Sequence, residues 1–161
     1  MDTDPYASHI PVLKAVSRLV SKAEILEFGI GAYSTSLFLN DEFYPGSRLT
    51  SVDDDAGWIR KCQQRTPRHT AVACDPLRYC LDHMDGIALA KLVFIDSRDT
   101  DSRVGLARIF GSLCLGQIVI MHDVENPAYA PVFGFFKHSG VFKKLTPWTA
   151  VFCDDISSQS I

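Results

Sequence analysis

The order of apolar runs in this chain leaves few folds open. Five short β-rich runs stand at AEILEF (23–28), RLTSV (48–52), HTAVAC (69–74), KLVFI (91–95) and QIVIM (117–121). They are mostly continuous apolar stretches, which suits strands buried on both faces of a parallel sheet. The gaps between them carry helical spacing. Leu106, Ile109, Phe110 and Leu113 fall at i, i+3, i+4 and i+7, one stripe of a helix. Tyr129, Val132, Phe133 and Phe136 repeat the pattern, with Pro127 or Pro131 placed to start a helix. A further helix is expected around Ile10 to Val20, ahead of the first strand. Such alternation predicts a doubly wound α/β fold with right-handed crossovers. The end of the chain breaks the rhythm. VFKKLT and WTAVFC are two β-rich runs separated by little more than Pro147. No crossover helix fits between them, so they predict an antiparallel hairpin that closes a mostly parallel, seven-stranded sheet.

The 161 residues contain no internal repeat, low-complexity tract or long linker, so one domain over 1–161 is expected. With 47% hydrophobic and 22% charged residues, the composition is that of an ordinary globular chain. A net charge of -3 argues against a nucleic-acid-binding surface, which needs a basic face. No apolar run approaches a membrane span, and the start, MDTDPYASHI, lacks the basic and apolar regions of a signal peptide. A cytoplasmic location is expected. The cysteines Cys62, Cys74, Cys80, Cys114 and Cys153 are odd in number and form no C-x-x-C pair, which predicts reduced thiols rather than a zinc site or a disulfide frame.

In a doubly wound sheet, ligands bind beyond the carboxyl ends of the strands. Those ends carry the chemistry here. The first reads Glu27-Phe28-Gly29-Ile30-Gly31, the second Asp53-Asp54-Asp55, the third ends near Asp75, the fourth at Asp96 and the fifth at His122-Asp123. One such acid is ordinary surface decoration; a set along one rim points to a ligand. Asp53 lies 22 residues beyond Gly31, near the spacing at which an acid accepts hydrogen bonds from a ribose diol. Bound adenosine follows as a hypothesis. A nicotinamide dinucleotide fits less well, because Ser34 stands at the third position of G-x-G-x-x-G.

Taken in order, these segments resemble a known family. ILEFGIGAYSTSLFL is similar to motif I of class I S-adenosylmethionine-dependent methyltransferases that read E-x-G-x-G-x-S-T. LTSVDDDAGW resembles their second motif, an acid followed by an aromatic, and KLVFIDSRDTDSR and LGQIVIMHDVENPAY resemble segments of small O-methyltransferases. The resemblance implies a Rossmann-like methyltransferase fold with S-adenosyl-L-methionine as cofactor and a small-molecule or sugar-like hydroxyl as acceptor. It implies that Glu27, with Gly29, Gly31, Ser34 and Thr35, holds the methionine part. Asp53 would take the ribose, Trp58 would cover the adenine, Asp75 would meet the adenine amino group, and Asp96 would also border the cofactor. Tyr33 stands where many relatives have a third glycine, and a single glycine, Gly116, precedes Gln117 where they usually have two.

Catalysis is expected from Asp96, His122 and Asp123, near the transferred methyl. His122 suits a general base because imidazole titrates near neutrality. The alternative is a divalent ion, Mg²⁺ or another, held by Asp96, His122 and Asp123; the imidazole weakens the match to oxygen-loving Mg²⁺. Arg98 and Arg103 are candidates to orient an anionic acceptor, although Arg103, opening a helix, also reads as a surface residue. The Phe133, Phe135 and Phe136 cluster is a candidate pocket lining, with helix burial the better account of Phe133 and Phe136. With no insertion to form a lid, the expected pocket is open, covered by a second subunit of a homo-oligomer, or built for a large acceptor. Two rivals belong to other classes. A receiver domain would share the acids of SVDDD and VFIDS, but it would end a later strand in Ser or Thr where this chain has His122. A methyltransferase-like domain without turnover, binding cofactor or a protein partner, shares every motif.

Overall fold

A computed structural model describes residues 4–113 and 116–154. Its sheet has seven strands: β1 (Glu24–Phe28), β2 (Arg48–Asp53), β3 (His69–Ala73), β4 (Leu92–Ile95), β5 (Ile118–His122), β6 (His138–Phe142) and β7 (Thr149–Cys153). Their order is β3-β2-β1-β4-β5-β7-β6, with every pair parallel except β5–β7 and β6–β7. This is the expected doubly wound α/β architecture closed by an antiparallel hairpin. Strand order reverses between β1 and β4, so the ligand-accepting crevice lies at their carboxyl ends.

Side-chain alternation along the central strands builds a core on each face. Leu26, Phe28, Val93, Ile95, Val119 and Met121 point to one side, where Cys80, Ile87, Leu106 and Phe110 cover them. Those residues come from α4 (Pro76–Asp82), α5 (Met84–Ala88) and α6 (Thr100–Leu113). Ile25, Leu92, Phe94 and Ile120 point the other way, against Val12, Leu13, Val16, Leu37 and Phe38. These belong to α1 (Ile10–Val16) and α2 (Ala32–Phe38). Burial on both faces explains the lack of polar alternation in the strand sequences. Tyr44, fully buried in the second core, donates its hydroxyl to the Leu13 carbonyl at 2.6 Å, which ties the loop after α2 to α1.

Three elements differ from the sequence expectation. The segment Pro127–Gly134 is a 3-10 helix rather than an α-helix, with Pro131 inside it unable to donate an i→i−4 bond. Its stripe residues are still packed: Phe133 and Phe136 meet Phe152 of β7 at ring-centroid distances of 5.2 and 5.0 Å. None of the three phenylalanines reaches the cavity described below. Strand β6 also begins earlier than the VFKKLT run. It pairs from His138 to Phe142, and residues 143–148 form the connection to β7. As the edge strand it buries little, and its polar start carried no apolar signal. The first helix ends sooner as well, with Ser17–Leu19 continuing as a 3-10 turn. Cys62 and Cys80 are buried free thiols, Cys74 is free and half-buried, and Cys153 is half-buried; Cys114 lies outside the described residues. Among the described residues, no helix is long and apolar enough to cross a membrane.

Candidate functional site

A cavity of about 800 Å³ opens at the carboxyl ends of β1, β2, β4 and β5. That is within the usual size of a small-molecule site. One wall is formed by Gly29, Gly31, Ser34, Asp53 and Trp58, and the other by Asp96, Arg103, His122 and Asp123. Asp4, Tyr6 and His9 of the N-terminal segment close a third side, where Tyr33 donates its hydroxyl to Asp4 at 2.5 Å.

The two glycines of the β1 turn answer to different constraints. Gly29 has φ +92°, and a Cβ there would stand 2.3 Å from the Asp96 carbonyl oxygen and 2.7 Å from the Ser97 nitrogen. The backbone beyond β4 crosses against it, so the fold itself demands glycine. Gly31 has extended backbone, and the nearest atom to an added Cβ is Ser34 Oγ at 3.0 Å. Its missing side chain keeps the cavity wall flat.

Asp53 accepts Ile30 N–H at 3.1 Å on Oδ2 and Asp55 N–H at 2.8 Å on Oδ1, one bond per oxygen. Each oxygen therefore keeps a lone pair for a diol in the cavity. The Trp58 indole N–H donates to the Ile30 carbonyl, which holds the half-exposed ring beside the glycine turn. Asp55 caps α3 (Ala56–Cys62) by accepting from Gly57 and Trp58 N–H.

Glu27, Thr35 and Asp75 stand apart from the cavity walls. Glu27 is fully buried beneath Ser34 and accepts hydroxyl protons from Ser34 (2.5 Å), Thr35 (2.7 Å) and Ser51 (2.5 Å). Burial pushes its carboxyl up to about 7, against the downward pull of those three hydroxyls. Thr35 also accepts Gly31 N–H at 3.3 Å, so Glu27, Thr35 and Ser34 brace the turn from below. Asp75 is exposed and caps α4 through Arg78 N–H at 2.8 Å.

The opposite wall is a cluster of charged and imidazole groups. Arg103, from α6, is 6% exposed, which overturns its reading as a surface residue. Its Nη2 meets Asp96 Oδ1 at 3.0 Å and its Nη1 meets Asp123 Oδ2 at 3.1 Å. Its remaining donors reach the Ser97 carbonyl and the His122 carbonyl, the latter at 2.9 Å. The guanidinium thus clamps both acids to the ends of β4 and β5. His122 Nδ1 lies 3.3 Å from Asp96 Oδ1 and 3.5 Å from Asp123 Oδ1, while Nε2 lies 2.7 Å from Ser8 Oγ. Arg98 is exposed and faces Asp55 at 3.6 Å.

His9 is the site residue that the sequence reading did not find. It is 3% exposed, packs edge-on against His122 at 4.8 Å, and neither of its ring nitrogens has a hydrogen-bond partner. Burial lowers its basicity to about 4, with His122 adding to the effect, so the ring is neutral near pH 7. One signal pointed to it. A helix joined to β1 by a short connection runs antiparallel to that strand, which brings its N-terminal end to the carboxyl edge of the sheet.

One group from each of His9, Asp96 and His122 lies within 4.8 Å of the others. Asp123, expected to be a ligand, stands outside this set, and His9 belongs to it. Mg²⁺ favours six oxygens in near-ideal octahedral geometry. Two imidazoles and a carboxylate do not fit that demand.

No family model matches the chain, and no curated protein matches its sequence. Solved structures do. One is the MycE methyltransferase of the mycinamycin biosynthetic pathway, in complex with Mg, SAH and mycinamycin VI. It is 14% identical with a TM-score of 0.56, over 95% of this chain and 50% of that one. The chain therefore spans about half the length of MycE. The O-methyltransferase TomG from Streptomyces achromogenes, involved in tomaymycin synthesis and in complex with SAM, is 17% identical with a TM-score of 0.60, over 96% and 92% of the two chains. Spermidine synthase from Thermotoga maritima is 15% identical with a TM-score of 0.63, over 93% and 60%. At such identities the likeness is one of fold.

Proposed function

We propose that the chain is an S-adenosylmethionine-dependent methyltransferase that acts on a hydroxyl of a small-molecule acceptor. The observation that carries this reading is a cavity with two chemically different ends. A flat glycine turn, a carboxylate with free lone pairs and an indole stand at one end, and a cluster of acids and imidazoles at the other. The first end suits a nucleoside joined to an amino acid. The second suits a polar group that must lose a proton. The fold is shared with MycE and TomG, whose complexes contain SAH and SAM. It is equally shared with a spermidine synthase, so fold does not choose the reaction. The clustered proton acceptors at the β4 and β5 ends favour transfer to a hydroxyl.

At the first end, Asp53 would accept the ribose hydroxyls, Trp58 would cover the base, and the backbone of Gly29 to Gly31 would face the methionine part. Glu27, Ser34 and Thr35 hold that turn in shape. When bound, the cofactor supplies an electrophilic methyl group. At the second end, the acceptor hydroxyl gives its proton to the group formed by Asp96, His122 and Asp123. Arg103 keeps the two carboxylates in place and moderates their charge.

The test is the unfolding midpoint with and without S-adenosylmethionine and S-adenosylhomocysteine. Ligand at about 100 times its dissociation constant stabilises by roughly 2.7 kcal/mol, about 5–10 °C for a chain of this size. The shift should disappear in Asp53→Ala. No shift at millimolar ligand would sink the reading and favour a domain of this fold that binds a protein partner without turnover.

A further inference from the structure

Three groups that can ligate a metal converge in the second end of the cavity: His9, Asp96 and His122. Ser8 has a single hydroxyl proton, and it donates that proton to the Pro147 carbonyl at 2.9 Å. Its 2.7 Å contact with His122 must then run the other way, with Nε2–H donating to Ser8 Oγ. Nδ1 is then the ring position that faces the cavity, 3.3 Å from Asp96 and 3.5 Å from Asp123, where it and the carboxylates can share one cation. His9 adds a second imidazole, 97% removed from solvent and with both nitrogens unpartnered. A buried polar group left in that condition is destabilising.

We propose that His9, Asp96 and His122 bind a divalent ion of the zinc class, and that this protein's ion is not Mg²⁺. Two imidazoles and one carboxylate are a donor set that zinc accepts, with a further position left for water or substrate. All three groups line the cavity, so that position faces it. Around a tetrahedral ion with bonds of about 2.0–2.1 Å, donors stand about 3.4 Å apart. The set spans up to 4.8 Å and closes onto an ion by side-chain rotation. The outer contacts are those that orient such ligands: Ser8 holds His122 through Nε2, and Arg103 anchors Asp96 through Oδ1. One carboxylate in the set and a second on Asp123, against one guanidinium, leave a net negative charge to receive the ion. With the ion in place, Asp123, paired with Arg103 through Oδ2, keeps Oδ1 to take the acceptor's proton. The inference goes beyond methyl transfer and stands without it, because the binding is measured with no cofactor present.

The chain is stripped with EDTA and titrated with Zn²⁺ against a chromophoric chelator. One equivalent should bind with sub-micromolar affinity, undisturbed by millimolar Mg²⁺. The Co²⁺ form should show visible absorption of low coordination number, and the ring nitrogens of His9 and His122 should shift by NMR on adding Zn²⁺. His9→Phe keeps the buried ring against Phe94 and removes both unpartnered nitrogens, so it should fold at least as well as the parent and lose the Zn²⁺ equivalent. Ser8→Ala should weaken binding about 10–100-fold. No stoichiometric binding, equal competition by Mg²⁺, or Zn²⁺ binding that survives His9→Phe would overturn the proposal, the last marking an adventitious surface site only.

Discussion

Replacing Glu27 by glutamine tests whether the floor of the glycine turn is a proton-holding site. The carboxyl is fully buried, and its affinity for a proton rises from the ordinary 4.5 to about 7. In the unfolded chain it ionises near its ordinary value. Folded protein therefore binds the proton more tightly, and stability falls as pH rises. The contribution is fully present below about 4.5 and lost as pH climbs through 7. At about 1.4 kcal/mol per pH unit, the whole loss is about 3 kcal/mol. Glutamine has no such titration. The assay is urea unfolding of parent and Glu27→Gln, with EDTA present, at steps from pH 4.5 to 8.5. The parent should lose about 3 kcal/mol relative to the variant across that range. Subtraction matters because His9, held down at about 4, contributes in the opposite sense: its stabilising effect grows as pH rises toward 6.5. His69 is lowered by burial too and shares Ser51 with Glu27, so the pair is best repeated in His69→Gln. Parallel curves for parent and variant would refute the reasoning, since they would mean that three hydroxyls outweigh burial and keep the carboxylate charged.

Other outcomes follow from particular contacts. Gly29→Ala forces a Cβ onto the Asp96 carbonyl at φ +92° and should cost roughly 2–6 kcal/mol by chemical denaturation. Gly31→Ala should cost under about 1 kcal/mol yet reduce the midpoint shift given by S-adenosylhomocysteine, because that glycine lines the cavity. Arg103→Met leaves Asp96 and Asp123 facing each other and should destabilise by roughly 2–4 kcal/mol, less than a fully buried pair because Asp123 remains partly solvated. Tyr44→Phe removes the hydroxyl from the Leu13 carbonyl and should cost about 1–2 kcal/mol, read in the same unfolding experiment.

The sheet was legible because strands buried on both faces must be continuously apolar, and β1, β2, β4 and β5 lie within two residues of their apolar runs. The hairpin was legible from the lack of room for a helix. Its edge strand was misplaced because His138-Ser139-Gly140 pairs through backbone alone and offers no apolar pattern. At the site, the strand-end rule brought Gly29, Gly31, Ser34, Asp53, Trp58, Asp96, His122 and Asp123 to one cavity. It could not reveal that Gly29 answers to the backbone beyond β4, or that Glu27 points beneath the turn, since both depend on how neighbouring strands cross. Arg103 was ambiguous for a related reason: a charged residue on a helix reads as solvated until the helix is docked against two acids. His9 and Ser8 depend on the direction in which α1 is laid over the sheet.

The Ser8–Pro147 hydrogen bond joins residues 139 positions apart. During synthesis the two ends of the cavity therefore mature at different times. The glycine turn, Asp53 and Trp58 all precede β3, and β1, β2 and β4 frame them. His122 gains its fixed orientation only after the hairpin's connection has emerged and met Ser8, ahead of α1. A nascent or truncated chain lacking β6 and β7 would still hold Asp96 and Asp123 through Arg103, but Ser8 and the His122 ring would lack the Pro147 anchor. The His122 end of the cavity is thus the later of the two to be set.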